Sequence, residues 1–388
     1  MGNWVHVVGT GTIGEPLIGL LTKRREELGI ATVSFSKNRP TSEDVGKVEK
    51  MVRRGARLCV LPEIAANGGP LQSGPRAFEQ AGYPKPTMLT PEAIAGADVI
   101  MDCTPEGRGI AHKAEWYAPR AARDPNFRGA IAQGSEFGFG KPYAYRINET
   151  ALERGTDRFI HVVSCNTHNI AVLLRALGGT QLERLAEASF TCIRRASDVS
   201  QRGGFIAGIE AGTHEDAHFG THHARDAYAL LSTLFASEEH RDAVLGAPTT
   251  PRILSSACKA GTQYMHVIHA DLLLRGRWSH DEIVDRLDGI PTIALTEFFD
   301  TPRVFAVGRD YGFRGRLFNQ TVVNPKTVAV FPSHDPVFGH RTRIHLWSFT
   351  PQDGNSLLSS VAAVAWLLDP ETFEQRIECV KKYLMRRI

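Results

Sequence analysis

The chain has 388 residues, enough for two full hydrophobic cores, and its 42% hydrophobic and 22% charged content is that of an ordinary globular protein. A formal net charge of +3 demands no nucleic-acid partner, and no run reaches the roughly 18 apolar residues of a membrane span. Six scattered cysteines without a CxxC pair fit reduced thiols in a cytoplasmic protein better than a disulfide framework, and the sequence opens on a strand rather than on a signal peptide.

Taken in order, Trp4 to Val8 reads as a short apolar strand, followed at once by Gly9-Thr10-Gly11-Thr12-Ile13-Gly14. Leu17, Ile18, Leu20, Leu21 and Leu28 then recur at helical spacing. A GxGxxG between a strand and an amphipathic helix marks a dinucleotide site. Gly9, Gly11 and Gly14 let the backbone turn and approach a pyrophosphate, which the helix N-terminus stabilises. The second strand, Ala31 to Phe35, ends in Ser36-Lys37-Asn38-Arg39-Pro40. An NAD site places a carboxylate about 20 residues on, for the ribose 2′-hydroxyl. None appears before Glu43, whereas Lys37 and Arg39 suit the 2′-phosphate of NADP, so NADP is the preferred cofactor and NAD the alternative.

Further strands are expected at 57–61, 97–103, 129–132 and 159–164. Strands alternating with helices imply a doubly wound parallel sheet, with ligands at the carboxyl ends of its strands. The last of these ends in Ser164-Cys165, and the segment after it has helical composition. Cys165 therefore sits where a strand hands over to a helix N-terminus, whose unpaired N–H groups and dipole favour the thiolate of a thiol that otherwise titrates near roughly pH 8.5. That is the placement of a nucleophile.

After Gly179 the pattern changes to alternation, with strands expected at 187–196, 263–270, 303–308, 327–332 and 342–349 and fewer helices between them. A mostly antiparallel sheet follows. Helices are expected at 224–235 and after Ser279, where Ser279 and Glu282 form a capping box, and the segment 357–385 reads as a helix returning to the first domain. The expected fold is α/β, an N-terminal Rossmann-type doubly wound parallel sheet plus an α+β catalytic domain. The dinucleotide-binding domain is assigned to 1–164, completed by the helix in 351–388, and the catalytic domain to 165–350.

Adjacent Arg194 and Arg195 lie on a strand and so point to opposite faces, which leaves at most one for a pocket shared with Cys165. His214, His218, His222 and His223 have helical spacing, yet Gly212, Gly220 and Thr221 interrupt a helix and no cysteine completes a metal set. A loop offering imidazoles to an anionic substrate is preferred, and no metal is assigned. His266, on an alternating strand, becomes the general base if paired with a thiolate.

These residues together resemble the archaeal-type (type II) glyceraldehyde-3-phosphate dehydrogenases. The matching strings are GTGTIG (9–14), SKNRP (36–40), ADVIMDCTPEG (97–107), QGSE (133–136), VVSCNT (162–167), IRRASD (193–198), MH (265–266) and DTPRV (300–304). The resemblance implies phosphorylating, NAD(P)-dependent oxidation of an aldehyde, with glyceraldehyde 3-phosphate giving 1,3-bisphosphoglycerate through a cysteine thioester. Cys165 would be the nucleophile, His266 the base and Asn166 an oxyanion donor. Ser164, Thr167, Arg194, His222 and His223 would serve the substrate. Thr12, Ile13, Gly107, Arg195 and Gln352 would serve the cofactor. Partners would be a small anionic aldehyde and inorganic phosphate, in a homotetramer. The chain departs from the family at His168-Asn169, usually Thr-Gly, at Thr221 to Arg225, at Pro351-Gln352-Asp353 and at Gly261 to Tyr264. All these lie near the substrate, so the aldehyde can differ. A semialdehyde or acyl-phosphate dehydrogenase and a non-catalytic cofactor-binding relative are the alternatives.

Overall fold

A computed structural model describes residues 2–65, 71–197, 206–235, 252–352 and 354–388. The chain divides into two compact units. One comprises the residues up to Lys141 with Glu153–Val162 and Leu357–Lys381, and the other Pro142–Leu152, Val163–Ser356 and Lys382–Ile388.

The first unit is built on an eight-stranded sheet with Asn3–Val8 near its centre, flanked by Ile30–Lys37 and Val99–Asp102, both parallel to it. Arg57–Val60 extends the sheet on one side and Gly129–Gln133 followed by Phe159–Val162 on the other, again all parallel. Central strands are buried on both faces, which explains runs such as Val99–Asp102, where every residue is buried. The C-terminal helix Leu357–Leu368 is buried along its whole length and packs on the sheet and on helix Gly14–Lys23. Its Ser360 hydroxyl donates to Gln133 Oε1 at 3.0 Å. The helix expected to run to Met385 stops at Leu368, before Asp369-Pro370, and two short turns, Phe373–Arg376 and Glu378–Lys381, follow. Proline cannot continue the backbone ladder.

Two polar networks cross this core. Asp102, at the end of its strand, accepts from His112 Nδ1 at 2.7 Å, from the Tyr117 hydroxyl at 2.8 Å and from Thr104 N–H at 3.0 Å. Burial would raise its pKa, but the hydrogen bonds from His112, Thr104 and Tyr117 outweigh it and hold the carboxyl below the usual value. The other network is a chain with one direction. Trp4 Nε1–H donates to Ser34 Oγ at 2.7 Å, and Ser34 is 2.8 Å from His6 Nδ1. His6 Nε2 is 2.8 Å from Ser36 Oγ, which donates to Thr90 Oγ1 at 3.0 Å. Since Ser36 spends its hydrogen on Thr90, His6 donates from Nε2, and burial, which disfavours the charged ring, leaves Nδ1 as an acceptor. Burial pushes its pKa down to about 3.

The second unit holds a mixed, mostly antiparallel sheet. Its path runs Glu210–Ala211, Arg252–Ala260, Leu185–Arg195, His266–Arg275, Gly339–Thr350, Thr321–Val323 and Ile293–Leu295, with Ala329–Asp335 also paired on Gly339–Thr350. Two pairs are parallel, Leu185–Arg195 with Arg252–Ala260 and Ile293–Leu295 with Thr321–Val323. Strict alternation along His266–Arg275 buries His266, Ile268, Ala270, Leu272 and Leu274 on one face. The predicted helices appear as His222–Ser232 and His280–Asp288, the latter with the Ser279/Glu282 capping box. The segment expected as a strand at 303–308 is instead inside helix Thr301–Tyr311. Asp300 caps it by accepting from Arg303 N–H at 3.0 Å and Pro302 sits in its first turn, start signals that override the β-branched composition.

The His6 chain yields a pH test. The unfolded ring takes a proton near 6.5 and the folded one only near 3, so the stability His6 contributes is full above 6.5 and is lost as pH falls toward 3. His6→Leu should cost about 2 kcal/mol at neutral pH by removing one of the hydrogen bonds of Ser34 and one of Ser36 in a buried site. Urea unfolding should show that deficit shrinking with acidification; a deficit constant with pH would refute the neutral buried ring.

Candidate active site

In the first unit, Gly9 adopts φ +98°, and a Cβ there would lie 3.0 Å from the Cys103 carbonyl oxygen. A Cβ on Gly14 would come within 2.2 Å of the Gly9 oxygen, whereas one on Gly11 would meet nothing within 4 Å. The loop is thus closed against Cys103 at one end, upon itself at the other, and open at Gly11, the shape that admits a pyrophosphate. Thr12 and Ile13 complete the turn, with Ile13 preceding helix Gly14–Lys23. Gly107, at φ +80°, starts helix Arg108–His112 and also borders open space. These residues fit a dinucleotide. At the end of the second strand, Arg39 is exposed, while Lys37 is not free: its Nζ donates to Asp44 Oδ2 at 2.6 Å. Asp44 is also paired through Oδ1 with Lys47 at 2.8 Å, and Lys47 reaches back to the Thr10 carbonyl at 3.1 Å. Burial works against ionisation of Asp44, but the two ammonium groups outweigh it and hold the carboxyl well below the usual range.

In the second unit, Ser164 caps helix Cys165–Leu173, accepting from Thr167 N–H at 3.4 Å and lying 2.8 Å from the Thr167 hydroxyl. Cys165 is the first helical residue and is half-buried, while the rest of the helix is fully buried. Its carbonyl accepts from Asn355 Nδ2 at 2.8 Å. Burial pushes Cys59 and Cys192 up to about 12, and Cys103 further upward.

Asn166 is oriented by a relay. Ser348 Oγ donates to Asn169 Oδ1 at 3.1 Å, and Asn169 Nδ2 donates to Thr350 Oγ1 at 2.9 Å. Thr350 then donates to Asn166 Oδ1 at 3.3 Å. A hydroxyl has one hydrogen, so the order is fixed, and it leaves the Asn166 amide nitrogen as the donor end. Thr350 stands directly opposite His266 in the sheet, which joins the start of the cysteine helix to the histidine strand. His168 Nδ1 lies 3.0 Å from the Ser164 carbonyl.

His266 Nδ1 accepts the Arg195 backbone N–H at 2.9 Å. The neutral ring therefore carries its hydrogen on Nε2, where it acts as a donor. Arg194 and Arg195 diverge as their adjacency requires. Arg195 is buried, with its guanidinium 3.3 Å from the Gln263 carbonyl. Arg194 lines a cavity of about 300 Å³ together with Thr221, His222, His223, Cys258 and Lys259, and Glu210 and Glu215 stand at the same cavity. The rings of His222 and His223 are 4.0 Å apart. Both nitrogens of His223 are buried without a hydrogen-bond partner among the described residues, and burial, then His222, Arg194 and His266, drive its pKa well below 6.5. It can serve an anion as an N–H donor but not as a charge. His214 and His218 lie in the exposed loop before this helix, His214 Nε2 2.9 Å from Ser256 Oγ. No group of three metal-ligating side chains occurs among the described residues. Gln352 sits in the turn after Thr350 with its buried Oε1 unpartnered among the described residues.

Thr350, Asn355, Asp44 and Lys47 have no motif that could have singled them out. Each reaches its partners through tertiary pairing or a return of the chain.

The molecule is thus an α/β protein with a glycine-loop dinucleotide fold in one unit and a cysteine at a helix start in the other. Over most of its length it is similar to archaeal glyceraldehyde-3-phosphate dehydrogenases. It is 26% identical over 335 residues to that of Metallosphaera sedula, covering 84% of each chain. The enzyme of Sulfolobus acidocaldarius is 27% identical over 331 residues, 82% of this chain and 81% of its own. That of Pyrobaculum neutrophilum is 24% identical over 364 residues, 93% and 90%. No protein-family model matches the chain. The resemblance carried by the motifs is borne out by these relatives.

Iodoacetamide at neutral pH should label Cys165 before Cys59, Cys103 and Cys192, as read by peptide mass mapping. Ser164→Ala should lower stability by about 1 kcal/mol through loss of the cap. Preferential labelling of a buried thiol would remove the case for an activated Cys165.

Proposed function

We propose that the chain is an NAD(P)-dependent, phosphorylating aldehyde dehydrogenase of the glyceraldehyde-3-phosphate dehydrogenase type, working through a thioester on Cys165. The observation that carries the reading is the relay through Thr350, which presents an amide donor beside a cysteine at a helix start, opposite a buried histidine.

The Cys165 thiolate attacks the aldehyde carbon and forms a carbon–sulfur bond. The carbonyl electrons move to oxygen, where Asn166 Nδ2 and the Cys165 backbone N–H donate to the oxyanion. His266, holding its proton on Nε2, contributes as a donor to the anionic sulfur or oxygen. Proton acceptance from Cys165, the role expected of it from sequence, would require it to give up the Arg195 N–H. A bound nicotinamide supplies the acceptor for the hydride. Collapse of the oxyanion then leaves a thioester on Cys165. Hydrogen phosphate attacks the thioester carbon, the thiolate leaves, and the phosphate hydroxyl releases its proton to give the acyl phosphate. Arg194 supplies charge to the anions, and His222 and His223 supply hydrogen bonds.

A second reading keeps this chemistry and changes the aldehyde. The cavity at Arg194 holds two carboxylates, Glu210 and Glu215, against two cations, Arg194 and Lys259, a balance less suited to a dianionic phosphate ester. Rates with phosphorylated and carboxylated aldehydes, with and without phosphate or arsenate, separate the two.

Cys165→Ser should abolish turnover and leave NADP binding by fluorescence intact; retained turnover would dismiss the nucleophile. Asn169→Leu and Thr350→Val should each lower kcat by about tenfold or more with a smaller effect on KM. Because both act through one relay, the double variant should lose little beyond either alone. Additive losses would show that the relay does not act as a unit.

A further inference from the structure

The glycine loop and the end of the second strand are joined by a charge cluster that the motif reading does not contain. Lys37 and Lys47 bracket Asp44, at 2.6 Å and 2.8 Å, and the Lys47 ammonium also lies 3.1 Å from the Thr10 carbonyl of the glycine loop. The side chains of Lys37, Asp44 and Lys47 are 10%, 29% and 26% exposed, so the cluster is partly shielded from solvent. Both oxygens of Asp44 are engaged, Oδ1 by Lys47 and Oδ2 by Lys37 and the Thr41 hydroxyl at 3.0 Å. Three of the roughly four acceptor sites of Asp44 are thus engaged, which leaves a ribose 2′-hydroxyl at most one, on Oδ1 beside Lys47. A phosphate, by contrast, carries the charge and the oxygens needed to replace the carboxylate at both ammonium groups.

Resting on the dinucleotide reading of the glycine loop, we propose that Lys47, together with Lys37, forms the recognition site for the 2′-phosphate of NADP, and that Asp44 is a resident counter-anion which that phosphate displaces. Lys47 comes from helix Val45–Arg53, beyond the strand-end loop where such determinants are ordinarily sought, and is linked to the pyrophosphate loop through Thr10. The discrimination is electrostatic. Displacing Asp44 breaks two ion pairs in either case; a dianion replaces them with more charge at both ammonium groups, while a neutral hydroxyl offers nothing to offset the loss.

The test is binding, read by quenching of intrinsic fluorescence with NADP, NAD and 2′,5′-ADP, with melting curves of the ligand-free proteins as the folding control. Lys47→Met should weaken NADP and 2′,5′-ADP by roughly tenfold and NAD by less than about threefold. Lys47→Arg, which keeps the charge, should restore most of the NADP affinity. Asp44→Asn should tighten NADP relative to NAD. Equal weakening of NADP and NAD in Lys47→Met, or no change in either, would overturn the assignment of Lys47. Weaker NADP binding in Asp44→Asn would overturn the displacement, making the carboxylate an organiser of the lysines. A wild-type protein that binds none of the three ligands would instead reject the dinucleotide site itself, an outcome distinct from the others.

Discussion

The candidate site depends on a single hydroxyl hydrogen, that of Thr350. Because Asn169 donates to this oxygen, its own hydrogen goes to Asn166, and the amide of Asn166 can hold only one polarity. All three residues are fully buried, where an unpaired polar atom costs far more than at the surface. Reversing the amide would set one donor against another and leave an acceptor empty. The same threonine faces His266 across the sheet, so one side chain fixes both the helix start and the histidine strand.

Around this point positive charge is carried by the arginines and not by the imidazoles. His223 is held neutral by burial, and His266 spends one nitrogen on a backbone N–H, so neither ring is arranged to be a cation. Fixed charge comes from Arg194 and Arg195, whose guanidinium groups take different directions because neighbours on a strand must. The backbone N–H that His266 accepts belongs to Arg195, at the end of its strand. The pairing of Leu185–Arg195 with His266–Arg275 runs out near that point, and a side chain takes over from a carbonyl.

Much of this architecture is legible in the sequence, and the exceptions have physical causes. The first sheet is readable because its strands are short apolar runs set off by glycine, and the loop Gly9 to Gly14 has a local geometry that demands glycine. The capping box at Ser279 and the helix start at Ser164 are local too. Helix Thr301–Tyr311 was obscured because Val304, Phe305 and Val307 imitate a strand, although Asp300 and Pro302 held the contrary signal. Strand Arg252–Ala260 has small and polar residues at most positions, with Ile253 its one β-branched side chain, and is stabilised by its neighbours, so little local announces it. At the site, Cys165 and His266 are readable as chemistry. Asn169 and Thr350 are 181 positions apart, and no periodicity reports that they touch.

The wholly buried helix Leu357–Leu368 has a consequence for how the protein is made. On the ribosome, the first sheet emerges long before the element that covers part of it, so its apolar surface must wait in the nascent chain while some two hundred intervening residues are translated. The second unit's main segment, Val163–Ser356, emerges before that helix does. The unit begun first therefore waits for a helix translated after the main segment of the second, and a chain released short of Leu368 would carry an uncovered sheet and be a natural client for chaperones.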